Sequence, residues 1–124
     1  MRAILVSILL ILGIVPALGD EWASRNGTCY DWQGYWAVER DPSGVWTGSI
    51  DFQQVGGACV APTNAVASQE VRAVIVGEDF FARRHGGSTA CYMHGRIRGD
   101  QVRGFEICSG GTEQGFALHF RPPR

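Results

Sequence analysis

Two cysteines stand at equal distances from one tight turn, and this symmetry constrains the fold more than any other feature of the chain. In the stretch from Cys91 to Cys108 the centre is Gly99-Asp100, a two-residue loop in which glycine supplies the positive φ of a hairpin turn. Counting outward, Arg98 faces Gln101, Ile97 faces Val102, Gly95 faces Gly104 and Cys91 faces Cys108. The pair flanking a two-residue loop is hydrogen-bonded and pair types alternate, so Cys91 and Cys108 fall on a non-hydrogen-bonded pair. There the Cα atoms are closest and a disulfide fits most easily. The stretch predicts an oxidised antiparallel hairpin.

Oxidation implies export, and the start of the chain agrees. Met1-Arg2 precedes an apolar run from Ala3 to Val15, and Pro16-Ala17-Leu18-Gly19 places small residues at the −3 and −1 positions of a cut before Asp20. The run is shorter than the roughly 20 residues of a membrane-spanning helix. Residues 1–19 are therefore expected to be a signal peptide and residues 20–124 a single secreted or periplasmic domain with no stable membrane span after cleavage. Cys29, Cys59, Cys91 and Cys108 all follow the cut, an even count that predicts two disulfides. With Cys91–Cys108 selected by the hairpin, the remainder is Cys29–Cys59. No Cys-x-x-Cys spacing points to zinc, and no metal or cofactor is expected. Residues 20–124 carry a net charge of −2, all of the positive charge on arginine, which argues against nucleic acid as a partner.

Strand signals recur between turn signals along the chain. Residues 20–30 are polar and read as an extended N-terminal arm. Tyr35 to Arg40 reads as a strand, stopped by the type I turn sequence Asp41-Pro42-Ser43-Gly44. Val45 to Phe52 follows, with Trp46, Ile50 and Phe52 on one face. Gln53 to Gln69 is the longest connection, with room for a short helical turn. Strands are then expected at Glu70 to Val76, at Asp79 to Arg84, in the two arms of the Cys91–Cys108 hairpin, and at Gly115 to Phe120. The expectation is an all-β protein, a small antiparallel meander barrel or sandwich of about seven strands. One conflict stands out in the hairpin. Ile97, Val102, Met93 and Glu106 share a face, while the other face holds Arg96, Arg98 and Arg103 and then Tyr92, Phe105 and Ile107. Apolar character changes sides, as a bulge or bend at Gly95 or Gly104 would make it do.

The opening strand contains Gly34-Tyr35-Trp36. Gly-x-Trp at the start of a first strand resembles the calycin superfamily of small barrels, which includes lipocalins, avidins and bacterial secreted metalloprotease inhibitors. The resemblance implies a closed antiparallel barrel, with Trp36 inside it and Arg121, after the last strand, covering the tryptophan. The chain matches the inhibitors in size but departs from their usual single disulfide.

Candidate binding residues are few. Arg96 and Arg103 are cross-strand neighbours in the hairpin, an unfavourable like-charge pair that a nearby carboxylate or anion would relieve. With Arg98 and His94 they form a candidate patch for an acidic ligand, and Trp36 is a candidate within the barrel. Arg98-Gly99-Asp100 is an adhesion tripeptide, although the turn alone accounts for Gly-Asp. Glu78 and Asp79 are adjacent and point to opposite faces of a strand, so they are poorly placed for joint acid–base work. His85, His94 and His119 have no metal-type spacing, and no nucleophile motif or phosphate loop is present. No catalytic residue is therefore assigned. The expected function is that of an exported, non-catalytic binding protein for an unknown small ligand or protein. The alternatives are a protease inhibitor acting through the arm and a structural protein of the cell envelope.

Overall fold

The computed structural model describes residues 19–55 and 66–120. They form eight antiparallel strands in a closed up-and-down barrel: β1 (Gly19–Asn26), β2 (Trp32–Arg40), β3 (Trp46–Gln54), β4 (Val66–Val76), β5 (Asp79–Gly86), β6 (Thr89–Arg98), β7 (Gln101–Cys108) and β8 (Glu113–His119). Each strand pairs with the next, and β1 pairs with β8 from Ala23 opposite His119 to Asn26 opposite Phe116. Closure leaves no free sheet edge, which removes the hazard that an unpaired edge carries.

The strand count corrects the expectation of seven. The additional strand is β1, within the segment read as an arm. Its eight residues pair with β2 from Gly19 opposite Glu39 to Asn26 opposite Trp32. Its inward positions are Trp22, Ser24 and Asn26, all buried. Two of these three are polar, so the alternation that marks a strand is missing from the sequence. The β3–β4 connection is shorter than anticipated because β4 begins at Val66.

The Cys91–Cys108 hairpin has the anticipated register throughout, from Arg98 opposite Gln101 to Cys91 opposite Cys108. The disulfide is formed, across Cα atoms 3.9 Å apart. Ser109 N–H donates to the Ala90 carbonyl, so the neighbouring Cys91–Cys108 pair is the non-hydrogen-bonded kind. Cys29 is also disulfide-bonded, and its expected partner Cys59 lies outside the described residues. So do the expected signal peptide up to Leu18 and Arg121, the residue proposed to cover Trp36.

No bulge interrupts the hairpin; each face keeps its side of the wall throughout, and the apolar residues of the outer face point away from the core. Glu106 lies inside the barrel at 0% exposure, while Tyr92, Phe105 and Ile107 stand on the outer wall. The opposed glycines Gly95 and Gly104 serve a close approach. A Cβ on Gly104 would lie 2.0 Å from the His94 carbonyl oxygen, so only glycine fits there.

The barrel interior is divided. At the end bearing the short β4–β5 and β6–β7 turns it is filled by aromatic rings. Trp22 lies 5.0 Å from Phe120, 5.1 Å from Trp46 and 5.8 Å from Trp36 between ring centroids. Phe80 packs beside Trp36 and Phe116. Val38, Ile50, Val71, Met93, Val102 and Leu118 complete this core. An eight-stranded barrel has room for little more than its own side chains. The other end, where β1 and β7 finish and β2 and β8 begin, is built differently.

Candidate functional site

At that second end, inward positions that would ordinarily be apolar are polar. β5 alternates Phe80, Ala82, Arg84 inward, and β7 alternates Val102, Gly104, Glu106 inward. Parity alone therefore carries Arg84 and Glu106 into the barrel. They meet across β6 in a bidentate pair: Arg84 Nε donates to Glu106 Oε1 at 2.9 Å and Nη2 to Oε2 at 3.0 Å. Their side chains are 8% and 0% exposed. A buried carboxylate of this kind persists only when its oxygens are saturated. Glu106 Oε2 also accepts from Asn26 Nδ2 at 3.1 Å and from Gln114 Nε2 at 2.7 Å. Arg84 donates to Gln69 Oε1 at 2.5 Å and lies over the Phe52 ring, 4.9 Å from its centroid.

The network reaches the aromatic core through Trp36. Its indole Nε1–H donates to Ser24 Oγ at 2.9 Å, and Ser24 donates to Asn26 Oδ1 at 2.6 Å. Gly34, two residues before Trp36 and on the same inward face, gives Ser24 its space. A Cβ there would lie 2.6 Å from Ser24 Oγ and 2.8 Å from Phe52. Gly-x-Trp in this chain thus has a local cause: the tryptophan fills the core, and the glycine admits the hydroxyl that satisfies its N–H.

Above this floor a cavity of about 230 Å³ opens toward the barrel mouth. Trp32, Phe52 and Ala67 supply its apolar side, and Arg84, Gln69, Gln114, Asn26 and Thr89 its polar side. Glu106 lies beneath and does not line it. Cys91, Glu106 and Cys108 place potential ligand atoms within 4.8 Å of one another, but the two sulfurs are bonded to each other and Glu106 is already saturated. That group is structural.

The anticipated candidates separate into two places. Trp36 is buried in the core at 1% exposure. His94, Arg96, Arg98 and Arg103 are all exposed on the outer wall. Arg96 and Arg103 are direct cross-strand neighbours as expected, and the relieving carboxylates belong to the protein itself. Glu78 Oε1 accepts from Arg96 Nη2 at 2.9 Å, and Asp79 lies 3.9 Å from Arg96 Nε. His94 stacks on Phe81 with centroids 4.6 Å apart and lies 3.2 Å from Asp79. Beside it Phe81, Tyr92, Phe105 and Ile107 form an exposed apolar strip, with the Arg83 guanidinium 5.9 Å from the Tyr92 ring centroid. Sequence reasoning missed the Arg84–Glu106 pair, Asn26, Gln69 and Gln114. The available signal was parity: in the anticipated hairpin register Glu106 already shared a face with Val102 and Cys108.

No protein-family model, no curated protein and no solved structure matches this chain.

Proposed function

We propose that the protein is a non-catalytic binding protein that holds a small ligand in the mouth of its barrel, and that it works outside the cytoplasm. The observation that carries this reading is the cavity over the Arg84–Glu106 network. A barrel of this size could close its core with apolar side chains at both ends. Here one end is filled with rings, while the other keeps a polar floor, an apolar wall of Trp32 and Phe52, and about 230 Å³ of space. An apolar lining with a few convergent polar groups is the general form of a ligand site. The volume lies below the roughly 300–1,000 Å³ usual for drug-sized ligands, so the occupant is smaller. The disulfides fit an oxidising compartment. Among the described residues no helix is long and apolar enough to cross a membrane. The closed antiparallel barrel is compatible with a calycin-like origin, although Gly34 and Trp36 lie on β2 and not on the first strand.

The test is capture of small molecules from the growth medium and cell extract, read by native mass spectrometry. Wild type is compared with Ala67→Phe, which plugs the mouth from β4. A ligand carried by wild type and lost from the folded, plugged variant is the expected result. Equal mass profiles for the two proteins would remove the cavity from consideration.

A further inference from the structure

We infer that the cavity takes an uncharged, ring-sized molecule bearing an amide, and that it discriminates against both carboxylates and amines of the same shape. This inference rests on the cavity being the ligand site.

The orientation of two side-chain amides is fixed by their partners. Arginine has no acceptor, so the atom of Gln69 that receives Arg84 Nη1 at 2.5 Å is its oxygen. Gln69 Nε2 is left as a donor. An ionised carboxylate has no donor, so the atom of Gln114 that meets Glu106 Oε2 at 2.7 Å is its nitrogen. Gln114 Oε1 is left as an acceptor. Both residues line the cavity. These two glutamines therefore offer one donor and one acceptor, held by the two halves of a single ion pair, on a wall that also carries Asn26 and the Thr89 hydroxyl. A ligand amide is the complement, its carbonyl accepting from Gln69 and its N–H donating to Gln114.

Charge selects in the same direction. Among the described residues the Arg84 guanidinium is the only charged group lining the cavity, and Glu106 cancels it from below through two contacts of 2.9 and 3.0 Å. A carboxylate entering here would give up its hydration for a site of no net charge. An ammonium group would meet the guanidinium face. Either ion loses solvation that the site does not restore, whereas a neutral amide loses less and pairs both of its polar atoms. Trp32 and Phe52 then take a flat apolar body, and the volume limits it to about one ring with a short substituent.

Benzamide, benzoate and benzylamine share one ring and differ in the charge of the head group, which makes them suitable probes. Each is titrated into the full-length mature protein, with binding followed by tryptophan fluorescence and by the side-chain amide resonances of Gln69 and Gln114. Benzamide is expected to bind at least about tenfold more tightly than either ion and to shift both glutamine resonances. Gln69→Glu, which keeps the acceptor for Arg84 and removes the donor, is expected to lose that preference. Gln69→Met serves as the second variant should the extra carboxylate prevent folding. Tightest binding by benzoate or benzylamine at the same resonances, or benzamide binding that leaves both glutamines unmoved, would overturn the amide assignment and leave the cavity as the site. If no probe moves any cavity resonance and Ala67→Phe matches wild type in small-molecule capture, the amide assignment and the proposed function both fall.

Discussion

Glu106 has no contact with solvent, and its charge is held by four hydrogen bonds from three side chains. Such a pair is worth little compared with a well-packed apolar replacement, but breaking it is costly because one charge is left buried alone. Arg84→Met and Glu106→Leu are each expected to lower stability by about 3–5 kcal/mol. The double variant should lose far less than the sum of the two, and urea unfolding of the four proteins in a cycle measures the coupling. Equal additivity would mean that the pair does not act as a unit. The inward position of Glu106 was readable from the hairpin, since it follows Val102 and Gly104 at intervals of two. Its meaning was not, because the partner comes from β5, 22 residues away in sequence and one strand removed. Parity within one hairpin says nothing of a residue on a strand outside it, so the shift of apolar residues to the outer face suggested a bulge or bend at Gly95 or Gly104 rather than a buried ion pair. Trp36 was legible for the opposite reason. A large ring two residues after a glycine in an alternating strand has one comfortable place, and the Ser24 hydroxyl completes it.

Turns and hairpins carry their own chemistry. Between β2 and β3 the Asp41 carboxylate accepts from the Ser43 hydroxyl at 2.5 Å and from the backbone N–H of Ser43 and Val45 at 2.9 and 3.0 Å. These bonds, the Ser43 hydroxyl first and the Val45 N–H next, hold its pKa below the ordinary aspartate value. A carboxylate whose pKa is lower in the folded state stabilises the fold when ionised. That contribution is complete above the unfolded value near about 4 and is lost as pH falls through the lower folded value. Asp41→Asn should therefore melt below wild type at neutral pH, and the gap should close in thermal scans taken through acid. The β6–β7 hairpin is held differently, by Cys91–Cys108 across a sequence separation of 17. Replacing both cysteines with alanine is expected to cost roughly 2–4 kcal/mol, chiefly by freeing the unfolded chain, as chemical denaturation would show. Both elements were visible in the sequence, because Asp-Pro-Ser-Gly and Gly-Asp specify turns locally. β1 was not. Ser24 and Asn26 face inward to serve Trp36 and Glu106, so the strand carries polar residues on both sides and reads as irregular chain until the network is known.

At the scale of the whole molecule the barrel is a tube with one end filled by aromatic rings and the other left polar and hollow. The all-β class, the tight turns and most strand positions follow from alternation and punctuation in the sequence. The hollow end does not, since it depends on polar residues from β1, β4, β5, β7 and β8 converging only after closure. Closure itself is a non-local event. β1 begins at Gly19 and its second partner, β8, begins at Glu113, so the pairing that completes the cylinder joins opposite ends of the described chain. A protein ending at Thr112 would leave β1 and β7 each with an exposed edge and would remove Phe116, Leu118 and Phe120 from the core. It should lack a cooperative urea transition and the dispersed amide spectrum of the full chain. The same pairing sets a timetable for biogenesis. A growing chain can form its early hairpins one by one, but it cannot bury the Arg84–Glu106 pair or seat Trp36 in a sealed core until β8, Glu113–His119, is available to pair with β1. Until then the unfinished sheet has two open edges and an uncovered apolar face, and the step that removes those edges is the step that makes the cavity.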